Sequence, residues 1–343
     1  MDRIAQVSQA ERDALFREAT VQLRWRNVRI VEKDYWVCWT LDQLFRIPGV
    51  SDHLVFKGGT SLSKVHGIIE RFSEDIDVSL NPAKLGFAEI LARDLSPSQL
   101  DKQWGRLGQA CSEFAEQKIL PALQAASARI RELTDEPGHG WRIQRDRKGF
   151  PELLFDYPKN DWTPPAGYIS KDVKIELGSL TDQMPAGTHT VSPYLARGLP
   201  ELSTKGSCAL KVLEVERTFW EKATLLHNEY HRPVKEGAEL AERLSRHYYD
   251  LALLSATPAG RNALQKLDWL DRVREHKKRF FRNSWSASYD TARPGQFKLL
   301  PPAHRLEDFR RDYRKMDEMF FTTQPDFDGI LSALAQLEKT LNR

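Results

Sequence analysis

The fold of this 343-residue chain follows from the stretch Phe56 to Val78, FKGGTSLSKVHGIIERFSEDIDV. At its start, Leu54-Val55-Phe56 predicts a short strand that ends at Gly58-Gly59. Ser61 to Ile69 has apolar residues at helical spacing and predicts a helix. Asp75 to Leu80 alternates polar and apolar residues, which is typical of a strand. The stretch therefore predicts the order strand, glycine turn, helix, strand.

The glycine turn is a candidate phosphate site. Glycine lets the backbone turn tightly and approach a bound group, and a helix N-terminus offers unpaired N–H groups to an anion. Neighbouring hydroxyl and ammonium groups would add donors. A Gly-Gly turn before an N-capping Thr or Ser is also common without a ligand, so both interpretations stay open. The candidate triphosphate contacts are Lys57, Gly58, Gly59, Thr60, Ser61 and Lys64.

A carboxylate pair follows on the next predicted strand. Asp75 and Asp77 are two residues apart, so their side chains share one face of the strand while Ile76 and Val78 enter the core. Adjacent carboxylates repel each other, and a divalent cation such as Mg²⁺ relieves that repulsion. A solvated polar edge is the alternative interpretation.

A third carboxylate lies on a later predicted strand, Asp172 to Leu177, which has the same alternation. If this strand neighbours the Asp75–Asp77 strand, Glu176 completes a set of three carboxylates. Such a set suits phosphoryl or nucleotidyl transfer with two metal ions. A single Glu in a strand is more commonly just exposed, so the order of the motifs carries this hypothesis.

These motifs resemble a known family. The run Lys57 to Leu62, followed by Arg71 to Asp77, is similar to the AbiEii/AbiGii toxin family of DNA polymerase β-like nucleotidyltransferases, to which the mycobacterial MenT toxins also belong. The segments Glu32 to Trp36, Phe219 to Lys222 and Tyr248 to Leu251 resemble its other landmarks. The resemblance spans roughly residues 30–255.

The resemblance implies an α+β fold, in which a polymerase β-like mixed sheet flanked by helices is followed by a mostly helical C-terminal lobe. We expect a nucleotidyltransferase domain with N-terminal helices over residues 1–205. A helical domain over residues 206–343 would bind the acceptor.

The resemblance also implies residue roles. Asp75 and Asp77 would bind the metal, and Gly59, Thr60 and Ser61, with Ser73 from the matching run, would lie at the nucleotide. Lys222 corresponds to a basic residue that faces the nucleotide, and Asp250 to a late acidic residue needed for activity. Glu176 matches by order alone, and the roughly 90 residues after Asp250 are not covered.

Family members are toxins of bacterial toxin–antitoxin or phage-defence systems, and some add nucleotides to the 3′ end of tRNA. The sequence therefore predicts an enzyme that transfers NMP from an NTP to RNA with Mg²⁺ or Mn²⁺, and a cognate antitoxin is a possible partner. Transfer to a protein or small molecule is one alternative. A non-catalytic NTP-binding regulator is the other.

Charge is unevenly distributed along the chain. Residues 261–315 contain 15 Lys or Arg against 7 Asp or Glu, so this segment carries +8 although the whole chain carries only +3. Its basic side chains favour a phosphate backbone as partner, with solvated helix faces as the alternative. The clusters are Lys277, Lys278, Arg279 and Arg282, then Arg310, Arg311, Arg314 and Lys315.

The cysteines, the hydropathy and a few single residues give further expectations about the cellular compartment and about contacts. The scattered Cys38, Cys111 and Cys208 predict no disulfide framework, and no apolar stretch suits a signal peptide or a membrane span, so we expect a cytoplasmic protein. Asp250, in an apolar helix, is expected to pair with Lys222 or Arg246. The histidines are interpreted as surface residues and not as a metal cluster: His227, His231 and His247.

Overall fold

The computed structural model describes residues 1–92, 95–134, 140–146, 151–159, 168–233, 240–281 and 288–343. The chain divides into two compact units. One comprises Met1–Val65 with Phe72–Val212, and the other His66–Arg71 with Leu213–Arg343. The predicted phosphate turn and carboxylate pair therefore fold together in the first unit, although the short segment between them belongs to the second.

The first unit is built on a mixed sheet, as predicted for an α+β protein. The described residues form seven strands in the order β3-β4-β5-β2-β1-β7-β6. β2 runs parallel to β5 and antiparallel to β1. The strands are β1 Leu54–Lys57, β2 Ile76–Leu80, β3 Arg142–Asp146, β4 Glu152–Asp156, β5 Val173–Gly178, β6 Ala186–Val191 and β7 Cys208–Leu213.

Helices flank this sheet and supply much of its core. Trp36 and Trp39 are fully buried, and both contact Trp141 and Phe155. Burying a large apolar side chain stabilises the fold by about 1.5–3 kcal/mol. The helices are α1 Asp2–Ala5, α2 Gln9–Leu23, α3 Val28–Phe45, α4 Gly58–Lys64, α5 Glu89–Ala92, α6 Pro97–Phe114, α7 Leu120–Thr134 and α8 Tyr194–Gly198.

The second unit is helical in the residues that the structure describes. Its α10 packs against both α9 and α14, and aromatic contacts such as Tyr248 with Phe309 fill the space between its helices. The helices are α9 Val215–Tyr230, α10 Arg246–Ala256, α11 Pro258–Ala263, α12 Leu267–Phe280, α13 Leu306–Arg314 and α14 Phe327–Leu341.

Several elements differ from what the local sequence indicates. The segment 181–207 is rich in Pro, Gly, Ser and Thr, a composition typical of an extended connection, but it contains β6 and α8. β6 is an edge strand with little burial, so it needs no apolar alternation. Tyr168-Ile169, an aromatic and a β-branched residue of the kind that favours a strand, forms a bend. The helical spacing of apolar residues extends back to Val212, but α9 begins at Val215 because the preceding residues complete β7.

Two bulk features are also observed. Across the described ranges, no helix has the length and apolarity to cross a bilayer. Cys38, Cys111 and Cys208 are buried and free.

Candidate active site

Gly58 joins β1 to α4 in the first unit. β1 ends at Lys57 and α4 begins at Gly58, three residues before the predicted start. Gly58 has φ +82°, and a Cβ at this position would lie 2.0 Å from Asp77 Oδ2. Glycine therefore allows a close approach to the backbone, and the group that approaches in this structure is the carboxylate of Asp77, whereas the approach of a phosphate stays a prediction.

Hydroxyl groups tie α4 to the carboxylate strand. Thr60 Oγ1 donates to the carbonyl oxygen of Asp75 at 2.6 Å and lies 2.9 Å from Ser73 Oγ. Ser61 Oγ donates to the carbonyl oxygen of Gly58 at 2.8 Å. Thr60 and Ser61 are buried. Their side-chain hydroxyls, expected to be donors to a phosphate, are engaged within the protein, which leaves the backbone N–H groups at the start of α4 for that purpose.

The carboxylates form a row across the sheet. Strand pairing aligns Lys57 with Asp77, Asp77 with Glu176, and Glu176 with Glu152. The predicted neighbourhood of Glu176 and Asp77 is therefore present. Side chains of directly paired residues project from the same face of a sheet, so this row brings charges of both signs together.

The pKa shifts of the carboxylates differ along this row. Burial, together with the neighbouring Glu176 and Asp75, raises the pKa of Asp77 to about 6 against the attraction of Lys57, and Asp77 hydrogen-bonds with Glu176. Although burial opposes it, the ion pair with Lys174 lowers the pKa of Glu176. A cation beside Asp77 would therefore stabilise its ionised form.

The donor set fits a divalent metal only in part. Asp75 and Asp77 are half-buried and supply the oxygen ligands that Mg²⁺ takes, with substrate phosphates as its remaining ligands. In the part of the chain that the structure describes, no three His, Cys, Asp or Glu side chains are arranged to hold a metal ion. Glu176 therefore lies beside the pair but does not complete a set of three metal ligands, and its carboxylate makes an ion pair with Lys174.

Lys64 does not lie where a phosphate contact would require it. Its side chain is 1% exposed, and Nζ lies 2.7 Å from Asp34 Oδ1 and 3.4 Å from the ring centroid of Tyr194. Burial favours the neutral amine, but the Asp34 carboxylate outweighs it and holds the pKa of Lys64 above its ordinary value. The prediction of Lys64 as a nucleotide contact is corrected to a buried ion pair at the end of α4.

A second polar cluster lies within the helical unit. Arg71 donates to both oxygens of Asp250, with Nε–Oδ1 and Nη2–Oδ2 distances of 2.8 Å. Lys222 Nζ donates to Asp250 Oδ2 at 2.7 Å and lies 3.3 Å from His247 Nδ1. The expected pairing of Asp250 with Lys222 is confirmed, and Arg71 is a partner that the sequence interpretation missed.

This cluster is deeply buried. Asp250 is 0% exposed and Lys222 7%. Burial favours the neutral acid, yet Arg71 and Lys222 hold the pKa of Asp250 well below its ordinary range. Burial lowers the pKa of Lys222 against the attraction of Asp250, and it also holds the pKa of His247 well below its ordinary value. A neutral imidazole can accept a hydrogen bond from the ammonium.

The histidine interpretation was wrong at His227. This residue is fully buried in α9. Its Nδ1 accepts from the Lys298 backbone N–H at 3.0 Å, and Nε2 lies 3.0 Å from Thr291 Oγ1. Burial is the main reason that its pKa falls to about 4. His227 is therefore a neutral core histidine.

Several cations of the basic segment are engaged by other groups of the protein. Lys277 donates to Glu221 O and Thr224 Oγ1, both at 3.0 Å, and burial lowers its pKa to about 8. Further ion pairs join Lys278 to Asp290, Arg310 to Asp328 and Arg311 to Asp308. Arg282 lies outside the described residues.

Some residues of the candidate site carried a signal that the sequence interpretation did not use. Lys174 is two residues from Glu176, so strand alternation alone puts both on one face. Glu152 could not be found this way, because its alignment with Glu176 depends on how β4 pairs with β5. Arg71 belongs to the quoted run, but its partner Asp250 follows 179 residues later.

Comparison with known proteins gives three results. The model of the family described as nucleotidyl transferase AbiEii toxin, type IV toxin–antitoxin system, matches residues 39–333. No curated protein matches. Among solved structures, the chain is similar to MenT4, a nucleotidyltransferase toxin from Mycobacterium tuberculosis H37Rv, with a TM-score of 0.41 and 15% sequence identity over 95% of this chain and 98% of that chain.

Proposed function

Because the chain belongs to the AbiEii family of nucleotidyl transferase toxins of type IV toxin–antitoxin systems, we propose that it transfers NMP from an NTP to RNA, at the 3′ end of tRNA. The family also implies a cognate antitoxin. The observation that carries the proposal is the contact of the Asp77 carboxylate with the backbone of Gly58, where a Cβ would lie 2.0 Å from Oδ2. This contact joins the carboxylate pair to the turn that would hold the triphosphate.

In this proposal Asp75 and Asp77 bind Mg²⁺ or Mn²⁺. Such a metal, when bound, offsets the charge of the triphosphate and lowers the pKa of the attacking hydroxyl. The raised pKa of Asp77 supports this assignment, because burial and the repulsion by Glu176 and Asp75 both disfavour the ionised carboxylate, and a cation would offset both. Glu176, opposite Asp77 on the neighbouring strand, would add a third carboxylate to the negative charge that attracts the cation.

The triphosphate would lie against Gly58 and Gly59. Backbone N–H groups at the start of α4 have no side-chain cap, and Lys57 adds a positive charge beside Asp77. Thr60 and Ser73 act by fixing this turn relative to Asp75, since the Thr60 hydroxyl spans the two segments.

Lys222 and Asp250 enter the proposal through the family resemblance. Lys222 would neutralise charge on the nucleotide, and Asp250 would hold Lys222 in position. Their 2.7 Å ion pair supports the second role, because a lysine fixed by a carboxylate has little side-chain freedom to lose on binding. The acceptor would bind the helical unit, where residues 261–315 carry a net charge of +8.

A labelling experiment tests the proposal. The full chain is incubated with Mg²⁺ or Mn²⁺, each α-labelled NTP in turn, and either total tRNA or total protein extract. Two variants are run in parallel: Asp75→Asn/Asp77→Asn, and Asp52→Asn, which makes the same change at an exposed position before β1. Label on tRNA with wild type and Asp52→Asn, but not with the double variant, is the expected result. Label on protein, or nucleotide binding without transfer, would overturn the proposed reaction.

A further inference from the structure

Two adjacent residues of α3 carry opposite charges and have no contact with solvent. Lys33 and Asp34 are both 0% exposed. Charged side chains are rarely buried completely, because the loss of hydration costs several kcal/mol per ion. Each of these residues makes an ion pair with a partner of the first unit that is also buried.

Asp34 holds the end of α4. Its Oδ1 lies 2.7 Å from Nζ of Lys64, the last residue of that helix, and its Oδ2 accepts from the backbone N–H of Tyr194 at 2.6 Å. The Tyr194 ring covers the Lys64 ammonium, and its hydroxyl lies 2.5 Å from Ser63 Oγ. The helix that begins at Gly58 is therefore fixed at its far end by Asp34.

Lys33 holds the segment that leads into β2. Its Nζ donates to Glu74 Oε2 at 2.6 Å and to the carbonyl oxygen of Ser170 at 2.9 Å. The backbone N–H of Ser170 donates to the same Glu74 oxygen at 2.8 Å. Because Glu74 immediately precedes Asp75, these bonds fix the backbone at the first carboxylate of the pair.

The two ion pairs are parts of one closed set of contacts. α4 connects to β2 through the hydrogen bond from Thr60 to the Asp75 carbonyl, and both segments connect to α3 through Asp34 and Lys33. Consecutive residues of a helix project about 100° apart, so one turn of α3 can hold two different segments. Buried ion pairs can often be replaced by apolar residues without loss of stability, so stability alone does not account for them.

We propose that Lys33 and Asp34 are positioning residues for nucleotidyl transfer, which set the glycine turn and the Asp75–Asp77 pair at the separation that the reaction requires. This inference rests on the proposed function of those two segments. Neither residue would touch substrate. Misplacement of reacting groups by about 1 Å can lower a rate about 100-fold, so the loss of either ion pair is expected to act on turnover.

The test uses two paired replacements, Lys33→Met/Glu74→Gln and Asp34→Asn/Lys64→Met. Each removes a complete ion pair, so the thermal midpoint should stay within about 5 °C of wild type. We expect kcat to fall about 100-fold with little change in the KM for NTP. Mn²⁺ binding, followed by electron paramagnetic resonance without NTP, should also weaken. Arg12→Met is the control, because it removes a buried charge that donates to Ala5 and Val7 carbonyls in the same unit.

The outcomes separate the two claims. Folded double variants with wild-type kcat and Mn²⁺ binding would overturn the positioning role, whereas a wild type that neither transfers NMP nor binds Mn²⁺ would overturn the proposed function. Weaker Mn²⁺ binding in both double variants, with no transfer by wild type, would show that the ion pairs position the carboxylate pair but would overturn their role in nucleotidyl transfer together with the reaction. If the double variants do not fold, the single variants Lys64→Arg and Glu74→Asp test the inference, because each keeps the charge but changes the geometry of its ion pair. We expect kcat to fall about 10-fold in each. A wild-type kcat in both would contradict the inference.

Discussion

At the scale of single residues, the account depends most on Gly58. A side chain there would be strained by the positive φ and would meet the Asp77 carboxylate. Gly58→Ala should therefore destabilise the protein by about 1–3 kcal/mol and lower the transfer rate about 100-fold. Denaturant unfolding and the NMP-transfer assay measure the two effects.

Gly86→Ala is the matched control for this change. Gly86 has φ +81°, and a Cβ there would meet nothing within 4 Å. It shares the backbone strain of Gly58 without the contact to Asp77. A smaller loss of stability in Gly86→Ala than in Gly58→Ala, with loss of transfer in Gly58→Ala alone, is expected. Full transfer by folded Gly58→Ala would show that the contact with Asp77 has no role.

Asp250 is the residue with the largest expected effect on stability. Asp250→Asn leaves Arg71 and Lys222 buried without their carboxylate, and breaking such an ion pair costs about 3–5 kcal/mol. Urea unfolding measures this. Asp308→Asn, which breaks an exposed ion pair with Arg311, should change stability little. Equal stability of the two variants would contradict the buried network.

His227 predicts a pH dependence of stability. Its folded-state pKa is about 4 against an ordinary value of 6.5, so between these values the unfolded chain binds a proton that the folded chain excludes. The contribution is complete above pH 6.5 and is lost as the pH falls toward 4, at up to about 1.4 kcal/mol per pH unit. Unfolding at a series of pH values measures it.

Replacement separates His227 from other titrating groups. His227→Gln should flatten the slope between pH 6.5 and 4, whereas replacement of the exposed His304 by Gln should leave it unchanged. A slope that persists in His227→Gln would assign the acid sensitivity to other groups.

At the scale of secondary structure, the join between α4 and β2 is the feature that matters for function. Thr60→Val keeps the shape of the side chain but removes the donor to the Asp75 carbonyl at this part-buried junction. We expect the transfer rate to fall about 10- to 100-fold. Steady-state kinetics of NMP transfer measure it.

Thr40→Val provides the comparison. Thr40 is equally buried, and its hydroxyl donates to the Trp36 carbonyl at 2.7 Å, within α3. Its loss should cost a similar amount of stability and leave transfer unchanged. Equal kinetic effects of Thr60→Val and Thr40→Val would mean that the α4–β2 join is only structural.

Elements with strong local patterns could be predicted from the sequence, and those set by pairing could not. β2 alternates clearly, and α14 begins and ends where its apolar spacing indicates. β6 lies at the sheet edge and has no such pattern. The Glu176 hypothesis assumed that β5 lies beside β2. Only the observed pairing of these two strands shows that Asp77 lies opposite Glu176.

The same limit applies to charged residues of the site. Asp75 and Asp77 were identifiable because strand alternation puts both on one face. Lys33, Asp34 and Lys64 are charged residues in helices, which composition assigns to the surface. Their burial depends on partners far away in sequence, such as Glu74 for Lys33, and no local pattern contains that information.

At the scale of the whole molecule, the sequence predicted the fold class and the family, and the distribution of charge was harder to interpret. The excess of +8 over residues 261–315 is real, but Lys277 is half-buried and donates to the Glu221 carbonyl, and Arg310 pairs with Asp328, which lies outside that segment. Charge counting treats every lysine as available. An RNA surface on the helical unit therefore depends on fewer cations than the count indicates.

The most direct test of nucleotidyl transfer is the intact mass of one purified tRNA after incubation with the protein, Mg²⁺ or Mn²⁺ and the NTPs. Wild type and Asp52→Asn are predicted to increase the mass by whole NMP units, and Asp77→Asn, which keeps the size of the side chain at Gly58, is predicted to leave it unchanged. An unchanged mass with wild type, or the same increase with Asp77→Asn, would contradict the account.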